Sequence, residues 1–189
     1  MWDDKVMATL PDVNRMGTNQ AFVSGRLAMV EDGSWALRDI LTGAQFRVGV
    51  APLPAGPVRK ATLATTDGFG IYAGTKHPEA AWELVKFLIS KEYGRAMAKA
   101  NFLQPARASL VDDWIGYIRD EFPQQTEDLD LAAFAEGQRE GYSVVAEIFA
   151  NMTDGKRIAQ DAWDQILTFG LEPTKYMLTA SAQIQEAQN

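Results

Sequence analysis

The residues best suited to binding chemistry form one short stretch, Gly33-Ser34-Trp35. A helix is predicted to begin at Ser34, whose hydroxyl can cap the first turn, and Gly33 leaves room for a close approach of backbone or ligand. Trp35 then lies in the partial positive field of the helix N-terminus. This tip suits a ligand with a flat face and hydroxyl or anionic groups, and the alternative of an ordinary core tryptophan stays equally open.

Catalytic chemistry finds little support elsewhere in the sequence. The single histidine, His77, precedes Pro78 at a predicted helix start, where a surface turn position is expected. No G-x-S-x-G elbow occurs, and acidic pairs such as Asp112-Asp113 fall on polar helix faces rather than across a cleft. Residues 128–131 lack the glycine and glutamate of an EF-hand loop, and residues 68–70 lack the third glycine of a dinucleotide loop. We therefore expect no enzyme activity, no metal and no cofactor.

Composition is that of an acidic globular protein. Hydrophobic residues make up 47% of the 189 positions and charged residues 23%, which argues against disorder. The formal net charge of -7, with no Lys/Arg cluster, argues against nucleic acid as a partner. The sequence has no cysteine, so disulfides and thiolate sites are excluded. No apolar run is long enough to span a membrane, and residues 1–5 do not have the pattern of a signal peptide.

Apolar periodicity and breaker residues predict an α/β chain in which helices predominate. Strands are predicted at residues 27–30 and 46–50 and within 63–72, with a proline-rich loop at 51–60. The sequence Asp154-Gly155 is expected to end a helix in a left-handed conformation. The predicted helices fall near residues 18–25, 34–43, 78–90, 92–102, 111–122, 144–154, 158–170 and 173–184.

The helix predicted at 78–90 is the most strongly marked one. Its polar residues, Glu79, Glu83, Lys86 and Ser90, form one narrow stripe, and the remaining positions are apolar or small. A helix this apolar is expected to be covered by other elements on most of its sides.

Five stretches of sequence carry a family resemblance. They are F-x-x-G-x-x-A-M-x-x-x-G-x-W (22–35), V-G-V-A-P-L-P-A-G-P (48–57), D-G-F-G-I-Y-A-G-T-K-H-P-E-A-A-W-E-L-V-K-F-L-I-S (67–90), L-Q-P-A-R (103–107) and N-M-T-D-G-K-R-I-A-Q-D-A-W (151–163). In this order they resemble the second half of the extracellular solute-binding proteins of ABC sugar importers, the relatives of maltose-binding protein.

The resemblance implies a periplasmic binding protein-like II fold, in which two α/β lobes close on a solute about a hinge. This chain would then be a carboxy-terminal fragment. Residues 1–64 would be an α/β segment of the second lobe, residues 65–107 a segment returning to the first lobe, and residues 108–189 a helical segment of the second lobe. Such a fragment is expected to bind sugar weakly or not at all. It should also self-associate through the exposed apolar helix at 78–90.

The resemblance also implies a set of ligand-binding residues. Trp35, following Gly33 and Ser34, matches a tryptophan that stacks on the sugar, and Tyr142 falls where a second stacking aromatic is often found. Thr66-Asp67-Gly68 matches a contact loop in which relatives often carry an aromatic residue. Asp67 would instead bond hydroxyls or a cation. A partly buried helix position for Tyr142 and a turn-forming role for Asp67 stay open as alternatives.

The function that the resemblance implies is solute capture for an ABC transporter. The protein would be periplasmic or at the cell surface, would hold a small solute, with a sugar as the expected ligand, and would deliver it to permease subunits in the membrane. One alternative is a stand-alone or degenerate interaction module without transport function. Another is the same fold with polyamine, iron or glycerol phosphate as ligand. An anionic ligand would favour Arg38 or Arg139 in the cleft, and a polyamine would favour acidic walls such as Asp67.

Overall fold

The structure is a computed structural model that describes residues 7–8, 15–65, 67–145 and 150–188. Helices dominate these residues, and the sheet that they contain has two short strands, β1 (Thr62–Leu63) and β2 (Ser143–Val144). Single 3-10 turns occur at Ser34–Ala36 and Ala108–Leu110. The α-helices are α1 (Thr18–Val23), α2 (Leu37–Gly43), α3 (Pro78–Leu88), α4 (Lys91–Asn101), α5 (Val111–Glu121), α6 (Ala133–Arg139), α7 (Met152–Phe169) and α8 (Pro173–Ala187).

The chain divides into two compact units. One consists of Met29–Ala146, and the other of Met1–Ala28 together with Glu147–Asn189. The Gly33-Ser34-Trp35 stretch, Asp67 and Tyr142 all belong to the first of these units.

The core of the unit Met29–Ala146 is built around α5. This helix has acidic residues in its first turn and Arg119 in its last, which complements the helix dipole. Trp114 and Ile118 lie one turn apart and are fully buried. The buried residues packed with them come from α2, from α4 and the residue that ends it, from the start of α5, from the loop before α6 and from α6: Leu37, Leu41, Ala98, Phe102, Val111, Leu129, Leu131 and Ala135.

A left-handed residue ends α4 and anchors it to α5. Phe102 has φ 55° and is completely buried, and its carbonyl accepts a hydrogen bond of 2.8 Å from Trp114 Nε1. Its ring meets the ring of Phe122 edge to face, with centroids 5.9 Å apart. Burial of the Phe102 side chain therefore holds a backbone conformation that is rare for a residue with a Cβ.

Helix α3 begins at Pro78 as predicted but is not covered. None of its residues is buried, and Trp82, Leu84 and Phe87 are each about half exposed. The expectation that other elements cover this helix on most sides is therefore wrong for this chain. The exposed apolar surface agrees with what was expected of the helix without a partner, whereas self-association through it stays a prediction.

The boundary between α3 and α4 is set by a cap. Ser90 Oγ accepts a hydrogen bond of 3.1 Å from the Tyr93 backbone N–H, which fixes the start of α4 at Lys91. The predicted helices at 78–90 and 92–102 are thus confirmed as separate elements.

Two of the predicted strands are wrong. Residues 27–30 and 46–50 are irregular, and among the described residues of 63–72 only Leu63 is in a strand. A strand is stabilised by hydrogen bonds to a neighbouring strand. β1 has such a neighbour, since it pairs in parallel with β2. In this pairing Thr62 lies opposite Ser143 and Leu63 opposite Val144. The amide of Leu27 instead donates to the Ala21 carbonyl of α1, at 3.3 Å.

In the second unit, α7 and α8 pack against each other. The prediction that Asp154-Gly155 ends a helix is wrong, because both residues lie in the first turn of α7. Asn151 Oδ1 accepts from the Asp154 backbone N–H at 3.2 Å, and Asn151 Nδ2 donates to Asp154 Oδ2 at 2.8 Å. This reciprocal cap begins a helix where the sequence pattern had predicted an end.

The ends of α7 and α8 follow the sequence prediction. Gly170, with φ 63°, ends α7, and Pro173 occupies the first turn of α8. Glu172 caps α8 by accepting hydrogen bonds from the backbone N–H groups of Lys175 and Thr174, which lowers the pKa of its carboxyl. Before α7, Val144 is in β2 and Val145 is 73% exposed, so the predicted buried helix face there is wrong; Ile148 and Phe149 lie outside the described residues.

Candidate functional site

The stretch before α2 is a tight turn rather than a capped helix start. Ser34–Ala36 form a 3-10 turn, and the Ala36 N–H donates to the Gly33 carbonyl at 3.1 Å. The predicted capping role of Ser34 is wrong, because Ser34 lies inside the turn, is buried, and makes no capping hydrogen bond. Ala36 and Leu37 are also buried, so the turn packs against the core with Ser34 on its buried side.

Trp35 points out of this turn. Its side chain is 55% exposed, although both of its neighbours in the chain are buried. The alternative that Trp35 is ordinary core is therefore wrong. Its indole N–H makes no hydrogen bond within the described part of the chain, so a donor and an aromatic surface are available together.

The indole of Trp35 lies against Gly33. A Cβ placed on Gly33 would be 2.2 Å from Trp35 Cζ3, 2.3 Å from Cη2 and 2.5 Å from Cε3. The space that the absent side chain of Gly33 leaves is thus occupied by the indole ring of Trp35. Before it, Asp32 Oδ1 accepts a hydrogen bond of 2.7 Å from the Gly33 N–H, which helps to fix the backbone at this point.

The loop that follows β1 carries the second group of predicted site residues. Asp67 and Gly68 are exposed, and Thr66 lies outside the described residues. The Asp67 carboxylate forms no ion pair or hydrogen bond with any described residue. It is therefore free to accept from a ligand hydroxyl or to face a cation, which keeps both predicted roles open.

Tyr142 lies in a charged cluster with Lys60 and Glu136. Its hydroxyl donates to Glu136 Oε1 at 2.7 Å, and Lys60 Nζ lies over its ring, 4.4 Å from the centroid. Lys60 and Glu136 also form an ion pair. Tyr142 is partly buried as expected, but it directly precedes β2 and is not in a helix. Because the ammonium covers one face of the ring, a ligand can stack only on the other.

The same cluster shifts three pKa values. Hydrogen bonds from Lys60 and Tyr142 lower the pKa of the Glu136 carboxyl. The hydrogen bond to Glu136 raises the pKa of Lys60. Burial, followed by the hydrogen bond to Glu136, raises the pKa of Tyr142. All three groups therefore hold the charge states that favour the cluster at neutral pH.

The two arginines considered for an anionic ligand are engaged by the protein. Arg38 pairs with Glu121 and lies over the Phe102 ring, 4.0 Å from its centroid. Arg139 pairs with Asp112 at 3.1 Å. Since a carboxylate neutralises each guanidinium, the structure does not favour an anionic ligand at either.

The structure shows partners for some of the predicted residues. Gly33 and Trp35 are in contact, whereas the polar contacts of Tyr142 are with Lys60 and Glu136, which sequence reasoning did not select. Lys60 and Glu136 are 76 positions apart, and no local pattern links them.

A second feature that sequence reasoning missed is an apolar groove between α3 and the segment before it. The groove has a volume of about 270 Å³. Its lining comes from the 69–75 segment and from one side of α3: Phe69, Gly70, Ile71, Tyr72, Thr75, Ala81, Leu84, Val85 and Leu88. Phe69 and Gly70, which sequence reasoning also considered as part of an incomplete dinucleotide loop, thus contribute to an apolar surface.

The described ranges contain neither a candidate metal site nor a candidate membrane-spanning helix. No group of three or more His, Cys, Asp or Glu side chains that could hold a metal occurs there. None of the helices in those ranges combines the length and apolar character needed to cross a membrane.

Residues 2–95 match the family model of bacterial extracellular solute-binding proteins. The match includes Trp35, Asp67 and all of α3, and it ends before Tyr142. No curated protein matches the chain. The matched part is therefore similar to proteins that bind solutes outside the cell for transport. The family description specifies no particular solute.

Proposed function

We propose that this chain belongs to a non-enzymatic, extracellular binding protein that captures a carbohydrate and delivers it to the permease of an ABC importer. The observation that carries this proposal is Trp35, a half-exposed indole on a buried turn, within the range that matches the solute-binding family. In this proposal the solute lies in an interlobe cleft, and residues 65–107 face the first lobe.

Carbohydrate suits this surface for a physical reason. A sugar ring presents C–H groups on its faces and hydroxyls around its rim. An indole offers an apolar face to the former, while its N–H can donate to one of the latter. The exposed carboxylate of Asp67, which has no partner among the described residues, adds an acceptor for hydroxyls. Tyr142 would contribute the ring face opposite Lys60.

The experiment is a titration of the purified, 15N-labelled chain with maltose and with glucose, followed by the NMR signals of the five tryptophan indoles. This method detects millimolar affinities. The sequence leaves weak binding and no binding both open for a fragment, and the proposed site at Trp35 favours weak binding. We expect the Trp35 signal, assigned with Trp35→Phe, to shift with the sugar. The matched control is Trp82, which is 49% exposed and lies outside the proposed site.

Two results would contradict the proposal. Either no indole responds to the sugars, or Trp82 responds as strongly as Trp35, which would indicate non-specific contact. A parallel titration with spermidine tests the polyamine alternative. The supporting observation is Asp67, which is exposed and has no partner in the described ranges. In that case Asp67→Asn would abolish the response to spermidine.

A further inference from the structure

Gly33 does not need to be glycine for its own backbone. Its φ of -92° and ψ of 173° are extended values that any L-residue adopts. The conformational freedom of glycine is therefore not used here. What distinguishes this position is the indole of Trp35, which fills the space where a Cβ would be.

The three distances show which part of the indole lies there. Cε3, Cζ3 and Cη2 are consecutive atoms of the six-membered ring, at 2.5, 2.2 and 2.3 Å from the Cβ position of Gly33. An approach within the ring plane would bring the middle atom much closer than its two neighbours. Because the three distances are nearly equal, the Cβ position lies over the ring face.

From this geometry we infer that Trp35 is a one-sided platform and that Gly33 is the residue that positions it. The backbone at Gly33 covers one face of the six-membered ring, so a solute stacks on the opposite face. The exposed fraction of 55% fits an indole with one face open. The part of the inference that concerns solute stacking rests on the proposed function. The orientation of the ring can be tested without any ligand.

The ligand-free test uses the magnetic effect of the ring. A proton held over an aromatic face is shifted upfield, and one Hα of Gly33 points along the direction of the absent Cβ. We expect one Gly33 Hα signal far upfield of its partner in the wild-type chain, and a return to the ordinary range in Trp35→Ala. Ordinary positions for both Gly33 Hα signals in the wild type would overturn the inference.

The ligand test compares Gly33→Ala, Trp35→Ala, the double variant and Gly49→Ala. Gly49 is the matched control, because a Cβ there meets nothing within 4 Å and its φ is not in the left-handed region. We expect Gly33→Ala to move the Trp35 indole signal and to weaken sugar binding, followed by the backbone amide signals, towards that of Trp35→Ala. Gly49→Ala should change neither.

The double variant separates positioning from direct contact and from misfolding. If Gly33 acts through the indole, adding Gly33→Ala to Trp35→Ala changes sugar affinity no further and does not lower the thermal midpoint, because alanine fits this extended backbone. An additional loss of sugar affinity in the double variant would show that Gly33 contacts the solute itself and would overturn the positioning role. If sugars fail to bind the wild type while the upfield Gly33 signal is present, the proposed function fails and the one-sided platform stands.

Discussion

The stability of the unit Met29–Ala146 should depend strongly on Trp114. This side chain is fully buried, its Nε1 donates to the Phe102 carbonyl at 2.8 Å, and its ring meets Phe134 edge to face. Trp114→Phe keeps an aromatic ring but removes the donor and the second ring. We therefore expect the substitution to destabilise the core through two separate effects.

The two effects can be given magnitudes. Removing the donor for a buried carbonyl costs about 1–3 kcal/mol. The space left by the smaller ring costs about 1 kcal/mol more. The expected loss is thus about 3 kcal/mol, which lowers a urea midpoint by about 1 M or more at the usual slope for a small protein.

The assay is urea unfolding of the full chain, followed by circular dichroism at 222 nm. Trp82→Phe is the matched control, because it makes the same chemical change at a side chain that is 49% exposed. Its effect should stay within about 0.5 kcal/mol. Equal midpoints for the two variants would refute the role assigned to Trp114 in the core.

Three further predictions concern local features. Gly137→Ala should destabilise the chain, since a Cβ there would lie 2.2 Å from a methyl carbon of β1. Gly116→Ala, with open space around the new Cβ, should stabilise α5 by up to about 1 kcal/mol. Both effects can be measured as changes in the urea midpoint. Glu136→Gln should flatten the pH dependence of the thermal midpoint. The lowered pKa of Glu136 contributes stability that is lost as the pH falls through that pKa. The raised pKa of its lysine partner contributes stability that is lost as the pH rises through the lysine pKa. Asn151→Ala should cost about 1 kcal/mol through the lost cap of α7, and the exposed neighbour Thr153→Ala should cost less, as measured by thermal unfolding.

Features set by local chemistry were predictable from the sequence. Helix α3 begins at Pro78, α4 ends before Pro105, and Gly170 ends α7, because capping and breaking depend on residues within one turn of the boundary. The failure at Asp154-Gly155 has the same origin. Asn151 lies three positions upstream and makes the pair part of a first turn.

Features that depend on distant partners were not predictable. Residues 27–30 and 46–50 have the alternation or apolar character of strands, but a strand requires a neighbour that the local pattern does not show. The cluster of Lys60, Glu136 and Tyr142 joins segments far apart in the chain. For the candidate site, the sequence selected Gly33 and Trp35 but predicted a helix start capped by Ser34 there. The 3-10 turn, the exposure of the indole and its contact with Gly33 required the structure.

The short ladder between β1 and β2 has a consequence for the order of folding. It joins segments about 80 residues apart, and closing a loop of that length costs about 4 kcal/mol of chain entropy. Its bonds include Ala64 N–H to the Val144 carbonyl at 2.8 Å. Each such bond contributes only about 1 kcal/mol, so the ladder forms after the helices between its strands have brought the ends together. We therefore expect the ladder to open more readily than α5, so that the amide proton of Ala64 exchanges with solvent before those in the middle of that helix.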